Sequence, residues 1–134
     1  LLKRGIEKDL PTVMQNHGLS LIPHTPLASG LLTGKYRRNA PMPAGARMTR
    51  EKRQADRWIS NANWEMVERL TAFAEARGHN LLELAMSWLA ARPTVASIIA
   101  GATSPEQLEL NARAAAWPLS ANDLAEIDQL TQPG

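Results

Sequence analysis

Pro23-His24-Thr25-Pro26-Leu27-Ala28-Ser29-Gly30-Leu31-Leu32-Thr33-Gly34-Lys35-Tyr36 follows a short apolar run at residues 19–22 and puts glycines, hydroxyls and a lysine where that run ends. The run reads as a buried strand, and in an α/β protein ligands sit at the carboxyl ends of strands. Small residues let backbone N–H groups come close to an anion, and Lys35 adds positive charge. The stretch therefore reads as half of a phosphate-binding rim.

The chain has 134 residues, enough for one domain with a core of its own. No apolar run is long enough to span a bilayer and the opening residues carry no signal-peptide pattern, so no membrane partner is expected. Cysteine is absent, which excludes disulfides, thiolate metal sites and a cysteine nucleophile. That fits a cytoplasmic setting. The net charge is +2 but unevenly placed. Lys35, Arg37, Arg38, Arg47, Arg50, Lys52, Arg53 and Arg57 crowd one stretch, opposed there only by Glu51 and Asp56. A basic loop beside a glycine-rich turn suits a small anionic ligand. A nucleic-acid partner is not expected, because the loop lacks stacking aromatics and no binding motif occurs. Leu1 at the start, with no cap or strand lead-in, reads as a chain that begins inside something larger.

Residues 7–16 predict a short helix with Leu10, Val13, Met14 and His17 on one face, Pro11 in the first turn and Gly18 as the stop. Residues 19–22 are the first predicted strand. Residues 39–60 form a long basic connection, a length often functional, with part of 49–58 helical behind Thr49 as a cap. Residues 61–77 predict an amphipathic helix with Met66, Val67, Leu70, Phe73 and Ala74 inward. Asn80 caps a helix over 81–91, which Pro93 ends. Residues 94–99 are the second predicted strand. Ser104, Pro105 and Gln107 give a capping-box start to a helix reaching about residue 115, and Ser120 caps a last helix over 121–130. Strand, helix, strand, helix is the βαβ grammar of a parallel sheet. Both apolar runs expect neighbours on each side, so two strands do not complete such a sheet.

A second anion signal lies at Ile98-Ile99-Ala100-Gly101-Ala102-Thr103-Ser104-Pro105-Glu106-Gln107. Gly101 permits a tight turn, and N–H groups at the helix start near residues 103–107 suit a phosphate. Gln107 and Asn111 project from one helix face toward an amide- or purine-like edge. The plainer reading makes Gln107 a capping partner and Asn111 a solvated residue. Two such rims imply one extended ligand across two strand ends.

These motifs, with Pro43-Ala44-Gly45-Ala46-Arg47, Glu83-Leu84-Ala85-Met86-Ser87-Trp88-Leu89 and Trp117-Pro118-Leu119-Ser120, resemble the C-terminal part of an aldo-keto reductase of the bacterial and potassium-channel-β-like branch. The resemblance covers nearly the whole chain. It implies that residues 1–134 are the C-terminal portion of one (β/α)8 TIM-barrel domain, about two βα units plus a C-terminal helix, the barrel being incomplete. Residues 19–22 and 95–99 would be its seventh and eighth strands. The cofactor implied is NADPH, held in extended form at the strand ends without a GxGxxG fingerprint.

By the same resemblance His24 stands where a nicotinamide-stacking aromatic is usual and Thr25 where serine is usual. Pro26, Leu27, Ala28 and Ser29 would line the pyrophosphate and ribose, with Lys35 and Arg47 reaching phosphates. Gly101 and Thr103 resemble the 2′-phosphate turn, and Gln107 and Asn111 the adenosine contacts, while Leu110 stands where an acidic residue is common. The basic neighbours and the Thr103 hydroxyl favour NADPH over NADH. The family's catalytic Asp, Tyr, Lys and His motifs are not among these residues, and Tyr36 belongs to the Gly-Lys-Tyr turn. No metal site is expected. The chain thus reads as the cofactor-binding part of an oxidoreductase that interconverts carbonyls and alcohols, itself without a catalytic residue. The alternative is a non-catalytic assembly piece that completes a barrel with another polypeptide through exposed strand edges.

Overall fold

The two apolar runs expected as strands run parallel and side by side, but they meet only in an isolated bridge between Leu21 and Val95. Leu21 N–H donates to Thr94 O at 2.6 Å, Ala96 N–H to Leu21 O at 3.0 Å and Ile99 N–H to Pro23 O at 3.1 Å. The pairing and its direction are those of a βαβ unit, yet no regular strand forms among the described residues. Parallel strands are stable when covered on both faces and paired on both edges. Here Leu19, Ile22 and Ile99 remain more than half exposed, at 58%, 53% and 56%. The two expected strands are thus corrected to a short parallel contact within a helical chain. This computed structural model describes residues 1–131.

Among the described residues there are seven α-helices: α1 Leu10–Asn16, α2 Arg47–Arg50, α3 Lys52–Trp58, α4 Asn61–Glu75, α5 Leu81–Ala90, α6 Pro105–Arg113 and α7 Ala121–Leu130. Short 3₁₀ turns lie at Gly5–Glu7, Ala28–Thr33 and Ala114–Ala116. The core sits between α4 and α5. Met66, Val67, Leu70, Phe73 and Ala74 of α4 are all buried, as their helical spacing demands, with Leu81, Leu84, Ala85 and Trp88 of α5 in the same cluster. Ala28, Leu31, Leu32 and Tyr36 of the glycine-rich turn, Met48, Trp58, Trp64 and Ile127 complete it.

The helix ends follow from sequence chemistry. Ser60 Oγ accepts from Asn63 N–H at 3.1 Å at the start of α4. Gly78, at φ +74°, ends that helix and lets His79 N–H reach back to Ala74 O at 3.0 Å. Asn80 and Glu83 exchange reciprocal capping bonds at α5, and Ser120 and Asp123 do so at α7.

Two expectations are corrected. Only Met14 is buried on α1, while Leu10 and Val13 stay exposed. Thr49 caps nothing: its hydroxyl donates to Pro43 O at 2.7 Å, and residues 47–58 form two helices split at Glu51. The helix expected to reach about residue 115 runs to Arg113 and continues as a 3₁₀ turn over Ala114–Ala116.

The carboxylates of α7 fasten the molecule's far side rather than line a cleft. Arg77 donates to Asp123 at 2.9 Å and to Glu126 at 2.7 Å, and Arg92 pairs with Asp128 at 3.0 Å. His79 stacks on Trp117 with ring centroids 4.0 Å apart and planes 12° from parallel. No described helix is long and apolar enough to cross a membrane.

Candidate functional site

A cleft of about 590 Å³ opens where both apolar runs end. The first wall is the turn after residue 22. Ala28 N–H donates to Thr25 O at 3.2 Å, and Gly30 and Leu32 N–H both donate to Leu27 O, at 2.9 and 3.2 Å. To close this tightly the backbone turns left-handed three times running, at Ala28 (φ 49°), Ser29 (φ 57°) and Gly30 (φ 96°). Only glycine adopts that region without steric cost, so Ala28 and Ser29 are strained by roughly 1–2 kcal/mol each. Full burial of Leu31 and Leu32 beneath them offsets the strain. A Cβ at residue 30 would also lie 3.0 Å from Lys35 Cε and would push that side chain aside.

Ser29 is buried, and its hydroxyl donates to Gln54 Oε1 of α3 at 2.8 Å. The side chain expected to face pyrophosphate is thus spent on fastening the turn to α3. Tyr36 is buried too, its Oη accepting from Met48 N–H at 3.1 Å. That bond ties the turn to α2, whose Arg47 and Arg50 form the basic side of the cleft with Lys35.

The second wall is the 101–111 segment. Its turn is held by its own helix. Gln107 Oε1 accepts from Thr103 N–H at 2.9 Å and from Thr103 Oγ1 at 3.1 Å, and Asn111 Nδ2 donates to Gly101 O at 3.4 Å. Ser104 Oγ accepts from Gln107 N–H at 3.3 Å. The predicted capping box is therefore half made: Ser104 caps, but the Gln107 side chain reaches one residue past it. Donors expected to be open at residues 103 and 107 are satisfied within the chain, because helix starts recruit the nearest side-chain acceptors. Glu106 joins this arrangement. Its own backbone N–H, and then the Ser104 hydroxyl, hold its carboxyl below the usual value of 4.5.

All the expected contact residues but one line this cleft: His24, Thr25, Pro26, Leu27, Ser29, Lys35, Arg47, Gly101, Thr103, Gln107 and Asn111. Ala28 faces instead a second cavity, of about 770 Å³, between the turn, α5 and residues 1–15. Arg50 and the Pro43–Arg47 arm were not all foreseen as cleft walls, although Arg50 sits one turn from Arg47. Among the described residues no aspartate or glutamate lines the cleft. The wider basic stretch does not converge there. Arg38 turns to Glu65 and Glu68 at 3.7 and 3.5 Å, Lys52 pairs with Asp56 at 3.0 Å, and Arg57 lies over Trp58. Among the described residues no cluster of His, Asp or Glu could hold a metal ion.

The family model for the aldo/keto reductase family matches residues 1–132. L-glyceraldehyde 3-phosphate reductase of Escherichia coli K12 is 38% identical over 135 residues, covering 96% of this chain and 38% of the reductase. A probable voltage-gated potassium channel subunit beta of Arabidopsis thaliana is 37% identical over 114 residues, covering 84% of this chain and 34% of that protein. The chain therefore spans under half the length of these relatives. Among solved structures, glycerol dehydrogenase AKR11B4 of Gluconobacter oxydans matches with a TM-score of 0.76 at 23% identity, over 98% of this chain and 41% of that one, which is a likeness of fold.

Proposed function

Because the chain belongs to the aldo/keto reductase family, we propose that it forms the wall of a nicotinamide dinucleotide site, NADPH by preference, in a reductase that moves a hydride between that cofactor and a small carbonyl compound or alcohol. The residue runs 19–22 and 95–99 correspond, on this reading, to the last two strands of a (β/α)8 barrel. The catalytic Asp, Tyr, Lys and His of such an enzyme belong to other parts of the barrel.

One observation carries this. Two segments seventy-odd residues apart in sequence end side by side in one acid-free cleft, held in that register by the bonds from Leu21 and Ile99. At about 590 Å³ the cleft lies within the range of roughly 300–1,000 Å³ usual for cofactor sites. The residues fit the group well at one end. His24 offers a flat ring at the mouth, Pro26 and Leu27 an apolar bed, and Lys35, Arg47 and Arg50 the countercharge for phosphates. The fit at the other end requires Gln107 to release Thr103. When bound, the dinucleotide supplies hydride; this chain's residues bind and orient it and exclude water from its apolar side.

Titrating the 134-residue chain with NADPH tests the reading through quenching of nicotinamide fluorescence. Saturable binding with one site is expected, and no binding would refute it. Carbonyl-dependent oxidation of NADPH by this chain alone is expected to be absent; its detection would overturn the assignment of the catalytic groups to other parts of the barrel.

The second cavity supports a companion role in assembly. It is lined by Leu2, Ile6, Leu21, Ile22, Trp58 and Trp88 among others, and apolar surface of this kind favours association. Sedimentation is expected to show self-association or capture of a complementary barrel segment, whereas a monodisperse, folded monomer indifferent to such a segment would refute this role.

A further inference from the structure

Three cations border the cleft, and they are not equivalent. Lys35 is folded back, its Nζ 5.5 Å from the centre of the Tyr36 ring and its stem against Gly30. Arg47 leans the other way: its Nε is 3.5 Å from Glu51 Oε1, an i,i+4 pair along the 47–51 segment. Arg50 is exposed, lines the cleft, and makes no ion pair among the described residues. Arg47 and Arg50 lie three apart on α2, so both start from the same face of one turn.

A carboxylate beside a guanidinium does two things. It occupies N–H donors in a competing bond, and it cancels much of the positive potential that an incoming anion would feel. Glu51 does the second to Arg47, across 3.5 Å and without a hydrogen bond, whereas no described carboxylate forms an ion pair with Arg50. The five N–H donors of Arg50 remain available in their planar fork, which suits two phosphate oxygens at once. Tyr36 Oη accepts from Met48 N–H at 3.1 Å, which fastens the backbone between the two arginines to the turn.

From this asymmetry we propose that Arg50 is the principal phosphate-binding cation of the cleft, with Glu51 restraining Arg47 from that role. The inference rests on the dinucleotide reading for the identity of the ligand, but it concerns a diphosphate group whatever that group is attached to.

Calorimetric titration of the intact 134-residue chain and its variants, with NADPH and separately with inorganic pyrophosphate, tests it. Arg50→Ala is expected to weaken binding about tenfold, as loss of a charge-assisted hydrogen bond does. Arg47→Ala costs about threefold or less, and Glu51→Gln, which frees Arg47, strengthens binding. The order decides: a larger loss for Arg50→Ala than for Arg47→Ala supports the proposal, and an equal or reversed order overturns it. Unchanged far-UV circular dichroism keeps the comparison to folded protein, since all three side chains are exposed. Binding of pyrophosphate with this order, but not of NADPH, would leave Arg50's role standing and refute the dinucleotide. Binding of neither would refute both.

Discussion

Gly30 shows how one residue joins stability to the site. Its φ of +96° and the 3.0 Å separation between a built Cβ and Lys35 Cε mean that any side chain there strains the turn and displaces the lysine. Gly30→Ala is expected to cost about 1–2 kcal/mol in urea unfolding and to weaken NADPH binding as well. Tyr36 acts through a single bond. Tyr36→Phe leaves Met48 N–H buried without its acceptor, so a loss of about 1–3 kcal/mol is expected as a lower urea midpoint at unchanged slope. A midpoint within error of the parent would show that water replaces the phenol. Gln54→Leu should cost a similar amount by orphaning the buried Ser29 hydroxyl.

At the scale of elements, the helices were legible and the strands were not. The α4 stripe and the caps at Asn80 and Ser120 are local, set by spacing and by side chains within a few residues. The runs at 19–22 and 95–99 take their form from partners, and with one bridge between them they lack the neighbours that turn an apolar run into a strand. The half-made capping box at α6 was hidden for another reason: sequence spacing cannot say whether Gln107 returns to residue 104 or to Thr103. The cap of α7 gives a pH dependence. The Ser120 hydroxyl and backbone N–H, with Arg77, hold the Asp123 carboxyl below its ordinary value of 3.8. A carboxyl lowered on folding stabilises above its unfolded pKa, and that contribution is lost as pH falls through the folded value. Asp123→Asn should therefore reduce stability at pH 7 by about 1 kcal/mol and flatten the loss of stability below pH 4 in acid titrations followed by circular dichroism. An unaltered acid limb would place the pH sensitivity in other carboxylates.

Across the whole molecule, the expected contact residues other than Ala28 come together along one cleft, while Arg50 and most of the Pro43–Arg47 arm join its walls without having been foreseen. What the motifs could not carry was how those residues are already engaged. Ser29 is spent on Gln54, 25 residues away and singled out by no spacing rule, whereas Gln107 with Thr103 and Arg47 with Glu51 are four-residue pairs whose spacing permits the contact without dictating it. The cleft is consequently open at its basic end and self-closed at its amide end. The account stands on both walls meeting one extended ligand. Amide-resolved NMR of the chain titrated with NADPH tests this most directly. The account predicts that resonances of residues 24–35 and of residues 101–111 shift together along one binding isotherm. Shifts confined to one segment, or two segments following separate isotherms, would contradict it.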